Sequence, residues 1–182
     1  MRILGIDPGS IITGFGIIDC LDENIQFVHY DVLKMNSKLQ LTQRLKVIYD
    51  ECINKIKMYK PDLLAIETAF YGKNIQSTLK LGQARGVAII AALNCNLNVS
   101  EYSPREIKKA VTGNGASSKL QVLIFIKNIL KLKKEPKYFD SSDALAVAVC
   151  HYFASGKFVV LKSSKKTSWK EYVEKNPGKI IK

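Results

Sequence analysis

Three strand-patterned segments follow one another before any helical pattern begins, and every later strand-sized apolar run is set apart from the next by a helix. The first is RILGI, residues 2 to 6, closed by the turn pair Pro8-Gly9; TGFGIID (13 to 19) and NIQFVHYDVL (24 to 33) follow. Residues 41 to 59 then place Leu45, Ile48, Tyr49, Cys52, Ile53 and Ile56 at helical spacing, ending before Pro61. DLLAIE is too brief for a helix and reads as a buried strand. A helix rich in small residues spans 75 to 94, and NVSEYS supplies a fifth strand. Short connections join the first three strands as hairpins, whereas a helix between strands implies a right-handed parallel crossover. The order therefore predicts an α/β fold with a five-stranded mixed sheet flanked by helices.

The rest of the chain is helical. Ser103-Pro104 opens a short helix that Gly113-Asn114-Gly115 breaks. Ser117 or Ser118 can cap the next, whose Val122, Ile126, Ile129 and Leu130 form an apolar stripe. A last helix is expected from about Ser141 to Ala154, closed by Gly156. We expect one domain over residues 1 to 157 and a lysine-rich tail over 158 to 182, with a short helix near Ser168 to Val173.

Composition narrows the partners. The formal charge is +12, but residues 155 to 182 carry eight lysines against two glutamates, half of that excess. The folded part is thus moderately basic, which favours a polyanionic partner such as nucleic acid. No apolar run reaches the roughly 18 residues of a membrane helix, and the acid in MRILGID argues against a secretory signal. Cys20, Cys52, Cys95 and Cys150 are widely spaced, as expected of reduced thiols in a cytoplasmic protein.

Four acids fall at element ends: Asp7 after RILGI, Glu67 after DLLAI, and Asp140 with Asp143, three apart at a helix start. Singly, each has an ordinary explanation as a turn residue, a strand end or a helix cap. If a crossover makes the first and fourth strands parallel neighbours, Asp7 and Glu67 emerge at one edge, where ligands bind in open α/β sheets. Converged carboxylates repel and require cations, and oxygen-only ligation suits Mg²⁺. Two such ions about 4 Å apart can drive phosphodiester hydrolysis. LGIDPGSIITGFGII could instead be read as a phosphate loop, its glycines letting amides approach an anion.

GIDPGSIITGFG, AIETAFYGKN, LKLGQARGVA and FDSSDALAVA, in that order over about residues 3 to 155, resemble the RuvC family of Holliday-junction resolvases. The resemblance implies an RNase H-like fold, a homodimer, and Mg²⁺-dependent symmetric nicking of four-way junction DNA, with two ions per site and Mn²⁺ able to substitute. It also implies the branch-migration proteins RuvA and RuvB as partners. Carried over by motif, Asp7, Glu67, Asp140 and Asp143 would be the catalytic metal ligands. Lys119 would act in catalysis and, with Lys108, contact phosphates. Phe70, with Tyr71, would meet bases at the junction centre, and Arg85 is a further DNA-contact candidate. Gly82 and Gly86, four apart among alanines, would belong to the dimer helix.

Two other functions use the same core. The first hairpin also resembles the phosphate-binding hairpin of the actin, Hsp70 and sugar-kinase superfamily, but those proteins close a second related domain over nucleotide. A non-catalytic junction-binding module would not need all four acids.

Overall fold

The computed structural model describes residues 1–21, 24–68 and 74–155. Its elements are β1 (Arg2–Asp7), β2 (Ile12–Leu21), β3 (Asn24–Lys34), α1 (Leu41–Tyr59), β4 (Leu63–Glu67), α2 (Ile75–Asn94), β5 (Asn98–Tyr102), α3 (Pro104–Thr112), α4 (Lys119–Ile129) and α5 (Phe139–Ala154). The sheet runs β3-β2-β1-β4-β5. The first three strands pair antiparallel, and β4 and β5 add in parallel to β1. This is the mixed sheet expected from the element order. The expected tail helix, and Gly156 as its predecessor's terminator, lie outside the described residues.

Side-chain alternation splits the core between the two faces of the sheet. Leu4, Ile6, Phe15, Ile17, Leu64 and Ile66 face α1 and α2, where Ile48, Cys52, Ala84, Ala88 and Ala91 complete a buried cluster. Ile3, Ile18 and Ala65 face α3, α4 and α5, packing with Ile107, Val122, Ile126, Leu145 and Val149. The small-residue side of α2 is thus partly spent on close packing against the sheet. Cys20, Cys52 and Cys150 are buried and Cys95 partly so. Among the described residues no helix is long and apolar enough to cross a membrane.

Helix α5 is buried along nearly its whole length, lying across β1 and β2. Glycine makes that approach possible. A Cβ on Gly5 would stand 2.1 Å from the Ala144 carbonyl oxygen, one on Gly16 2.6 Å from the Leu145 nitrogen, and one on Gly14 1.9 Å from the Asp140 carbonyl oxygen. Gly14 and Gly16 lie in the second strand of the first hairpin, and the backbone they admit is that of α5.

The helix ends follow their capping chemistry. Ser103 opens α3 and Ser118 opens α4, each in a reciprocal capping box with the residue three positions on, Glu106 and Gln121. Gly113 ends α3 in the left-handed region at φ 80°. α5 starts two residues before the expected Ser141, with Tyr138 as its N-cap. Asp140 therefore lies inside the first turn, and the hydroxyls of Ser141 and Ser142 donate back to the carbonyls of Tyr138 and Phe139.

Candidate active site

The parallel register of β1 and β4 pairs Ile6 with Ile66, so Asp7 and Glu67 come next, side by side at the carboxyl edge. Both share the sheet face of Gly5 and Ala65, under α5. Asp7 is fixed from behind by its turn. Thr13 donates to the Gly9 carbonyl at 2.8 Å, and the buried Arg44 of α1 donates to the Ser10 carbonyl at 2.6 Å. The Gly9 amide points back to Thr13 Oγ1 at 3.4 Å. The Gly9 amide is thus turned into the loop, not outward as in a phosphate cradle.

A cleft of about 300 Å³ opens at this edge, lined by Asp7, Glu67 and Asp143 with Lys108 of α3 and Lys119 of α4. Lys119 Nζ lies 2.8 Å from Asp143 Oδ2, with the lysine side chain 64% exposed and the aspartate 15%. The ammonium thus rests on the acids while its stem reaches into solvent. Asp140 sits one turn earlier on α5, outside the cleft lining, yet its charge acts on both Asp7 and Asp143.

The acids perturb one another as crowded like charges should. Burial pushes Asp7 well above the usual carboxylate range, and the charges of Glu67 and Asp143 push it further. Glu67 is also raised, by burial and then Asp143, against a hydrogen bond with Asp7 and the opposing pull of Lys119 and Lys108. Burial likewise raises Asp143, although Lys119 counters it. Burial alone would lower Lys119, but its hydrogen bond to Asp143 and the charges around it raise it instead.

Among the described residues no three His, Cys, Asp or Glu side chains form a ready-made metal cluster. Asp143 is drawn to Lys119, and Asp7 is paired with Glu67. The donor chemistry still fits a hard divalent cation: the set is all oxygen, and ionisation of Asp7, Glu67 and Asp143 is opposed by burial and mutual repulsion that a cation would relieve. Asp7, Glu67, Asp143 and Asp140 are the residues able to hold one.

The remaining expected positions are spread more widely. Phe70 and Tyr71 lie outside the described residues. Arg85 projects from α2 to an ion pair with Glu101 of β5, its Nε buried without a hydrogen-bond partner, so it does not join the acidic cluster. Sequence reasoning passed over Arg44. Its signal was a charge placed four residues before Ile48 and eight before Cys52, on the buried stripe of α1.

The model of the family described as crossover junction endodeoxyribonuclease RuvC matches residues 3–151. A protein of that description from Chloroherpeton thalassium is 46% identical, covering all of both chains. One from Shewanella pealeana is 48% identical over 87% of this chain and 91% of its own. Among solved structures, Thermus thermophilus RuvC in complex with Holliday junction substrate matches with a TM-score of 0.80 and 28% identity, over 85% of this chain and 94% of that one. The yeast mitochondrial Holliday junction resolvase Ydc2, 12% identical with a TM-score of 0.63, covers 85% of this chain and 79% of its own and shares the fold. The fold is RNase H-like.

Proposed function

The chain belongs to the RuvC family of crossover junction endodeoxyribonucleases, and we propose that it resolves four-way DNA junctions by paired symmetric nicks in recombination and repair. The observation that carries this reading is the meeting of Asp7, Glu67, Asp143 and Lys119 in one cleft, with Asp140 beside it. A module that only bound junctions would have no use for such costly burial of like charges.

Asp7, Glu67, Asp140 and Asp143 would hold Mg²⁺, two ions per site, with Mn²⁺ able to substitute. When bound, the ions would neutralise the acids and polarise the phosphate to be attacked. The protein's own groups do the rest. Lys119 would leave Asp143 for a phosphate oxygen, stabilising the negative charge that builds up on the phosphoryl oxygens during in-line attack by water. Lys108, which lines the same cleft, meets the incoming backbone. The products would carry 5′-phosphate and 3′-hydroxyl ends.

A homodimer would place two such sites on opposed strands of a two-fold junction. The outer face of α2 suits it: Ile75, Leu79, Ile90 and Leu93 are all more than half exposed, and the space above Gly82 and Gly86 is open. RuvA and RuvB are the partners expected from family membership.

A nicking assay tests the reading, with an end-labelled four-way junction and a matched linear duplex in Mg²⁺ or EDTA. Paired nicks confined to the junction and dependent on metal are expected. Binding without cutting would favour a binding module, and equal cutting of the duplex would indicate a general nuclease.

A further inference from the structure

The acidic cleft already holds two cations, Lys108 of α3 and Lys119 of α4. A third, outside that lining but on the same carboxyl edge of the sheet, is Lys34, the last residue of β3, paired with Ile12 at the start of β2. Its ammonium lies 3.6 Å from the centroid of the Tyr138 ring, a cation–π contact.

Tyr138 and Phe139 immediately precede Asp140, and both are large aromatics left 39% and 46% exposed. Helix capping does not explain Tyr138, which makes no side-chain cap hydrogen bond. Nor do both rings belong to the buried clusters on either face of the sheet. Lys137, next in the chain, is exposed as well. An aromatic pair adjoining Asp140, with the Lys34 ammonium against one ring, suits a nucleotide: a base has a π-face and a backbone phosphate has charge.

Resting on the nuclease reading above, we propose that Lys34, Tyr138 and Phe139 form a platform for the cut strand on the β3 side of the scissile phosphate. The Tyr138 ring steadies the Lys34 ammonium for a backbone phosphate, and Phe139 offers a stacking surface to the adjoining base. β3 lies two strand spacings from β1, about 10 Å, so the nucleotide concerned is within about three of the cut, given the ~3.4 Å rise per nucleotide of a DNA strand. These are positioning residues for the strand that Asp7 and its neighbours act on.

The test uses junctions carrying 2-aminopurine at each of three positions on either side of the cut, bound in EDTA so that no cutting occurs. Base stacking on Phe139 should change the probe's fluorescence on one flank, and Phe139→Ala should remove that change while Phe139→Trp keeps it. In Mg²⁺, Phe139→Ala should slow cutting about 5- to 100-fold. Lys34→Ala should lower the slope of log affinity against log salt by about one. Melting temperatures of both variants should stay close to that of the parent. A fluorescence change that survives Phe139→Ala, or a salt slope unmoved by Lys34→Ala, would overturn the platform. If the parent protein binds junctions without cutting them, the nuclease reading fails, while the EDTA measurement still decides the platform.

Discussion

Replacing Gly14 with alanine should uncouple cutting from binding, because Gly14 is where α5 touches the sheet beside the acids. The added methyl carbon would sit 1.9 Å from the Asp140 carbonyl oxygen and 2.4 Å from its carbon. Carbon–oxygen contacts settle at about 3.3 Å or more, so the backbone at Asp140 must retreat by roughly 1.4 Å. Nothing soft is available to absorb this, since the clash is with backbone, not with the end of a flexible side chain. Asp140 and Asp143 ride on the retreating turn, whereas Asp7 and Glu67 stay with the sheet. Overpacking of this kind costs about 1–3 kcal/mol, and at ~2–4 °C per kcal/mol for a domain of this size the melting temperature should drop by several degrees. Misplacing reacting groups by about 1 Å can cost ~10²-fold in rate, so the larger effect should be on chemistry. Single-turnover cleavage of a saturated junction, well below both melting temperatures, reads that rate, and a gel-shift titration in EDTA reads binding. Cutting should fall about 10²-fold or more with junction affinity nearly unchanged. A variant that melts lower yet cuts at the parental rate would refute the idea that α5 docking sets the geometry of the acids.

Asp7→Asn should abolish cutting while preserving junction binding, and in EDTA it should melt higher than the parent, because it removes a buried charge opposed by burial, Glu67 and Asp143. The sign follows from the raised carboxyls: the folded state keeps their protons longer than the unfolded chain, so the parent's metal-free stability is favoured below the ordinary range near pH 4 and declines as pH rises through the folded values. The stability gap between the two proteins, followed by thermal melts from pH 4 to 8, should therefore widen with pH. Adding Mg²⁺ at pH 7.5 should raise the parent's melting temperature and leave Asp7→Asn much less affected, which a thermal-shift titration would read. Lys119→Ala takes the 2.8 Å partner from Asp143 and should slow single-turnover cutting about 10²- to 10³-fold, with Lys119→Arg falling less; an unchanged rate would remove Lys119 from the chemistry. Leu79→Glu together with Ile90→Glu, on the exposed face of α2, should yield a monomer by analytical ultracentrifugation, and an intact dimer would move the interface elsewhere.

The element order was legible because its signals are local. Turn residues, helical spacing and capping serines each act within a few positions, so the hairpins, the crossovers and the Ser103 and Ser118 caps could be read directly. The β1–β4 adjacency followed from one crossover, and with it the neighbouring positions of Asp7 and Glu67. Family resemblance then tied Asp140 and Asp143 to them, a link that no spacing in the chain provides. The start of α5 was misplaced by two residues because Ser141 looks like a cap. In the structure Ser141 is buried and bonds backwards, while Tyr138, a poor capping residue, takes the position.

What local pattern could not show is how the late helix reaches the early hairpin. Gly5, Gly14 and Gly16 lie more than 120 positions before Ala148, Asp140 and Leu145, the residues they admit, and a glycine in a strand announces close approach without naming the partner. The same gap hid Arg44, whose partner Ser10 is 34 residues away, and the meeting of Lys34 with Tyr138. These contacts have one feature in common: each ties one of the first three strands, or the turn after β1, to an element that arrives later in the chain. The acids can be close only because three glycines let a nearly all-buried helix lie on the sheet backbone. In this chain the electrostatic cost at the cleft is thus sustained by packing on the α5 face, which is why a single methyl group at Gly14 should disturb chemistry more than it disturbs the fold.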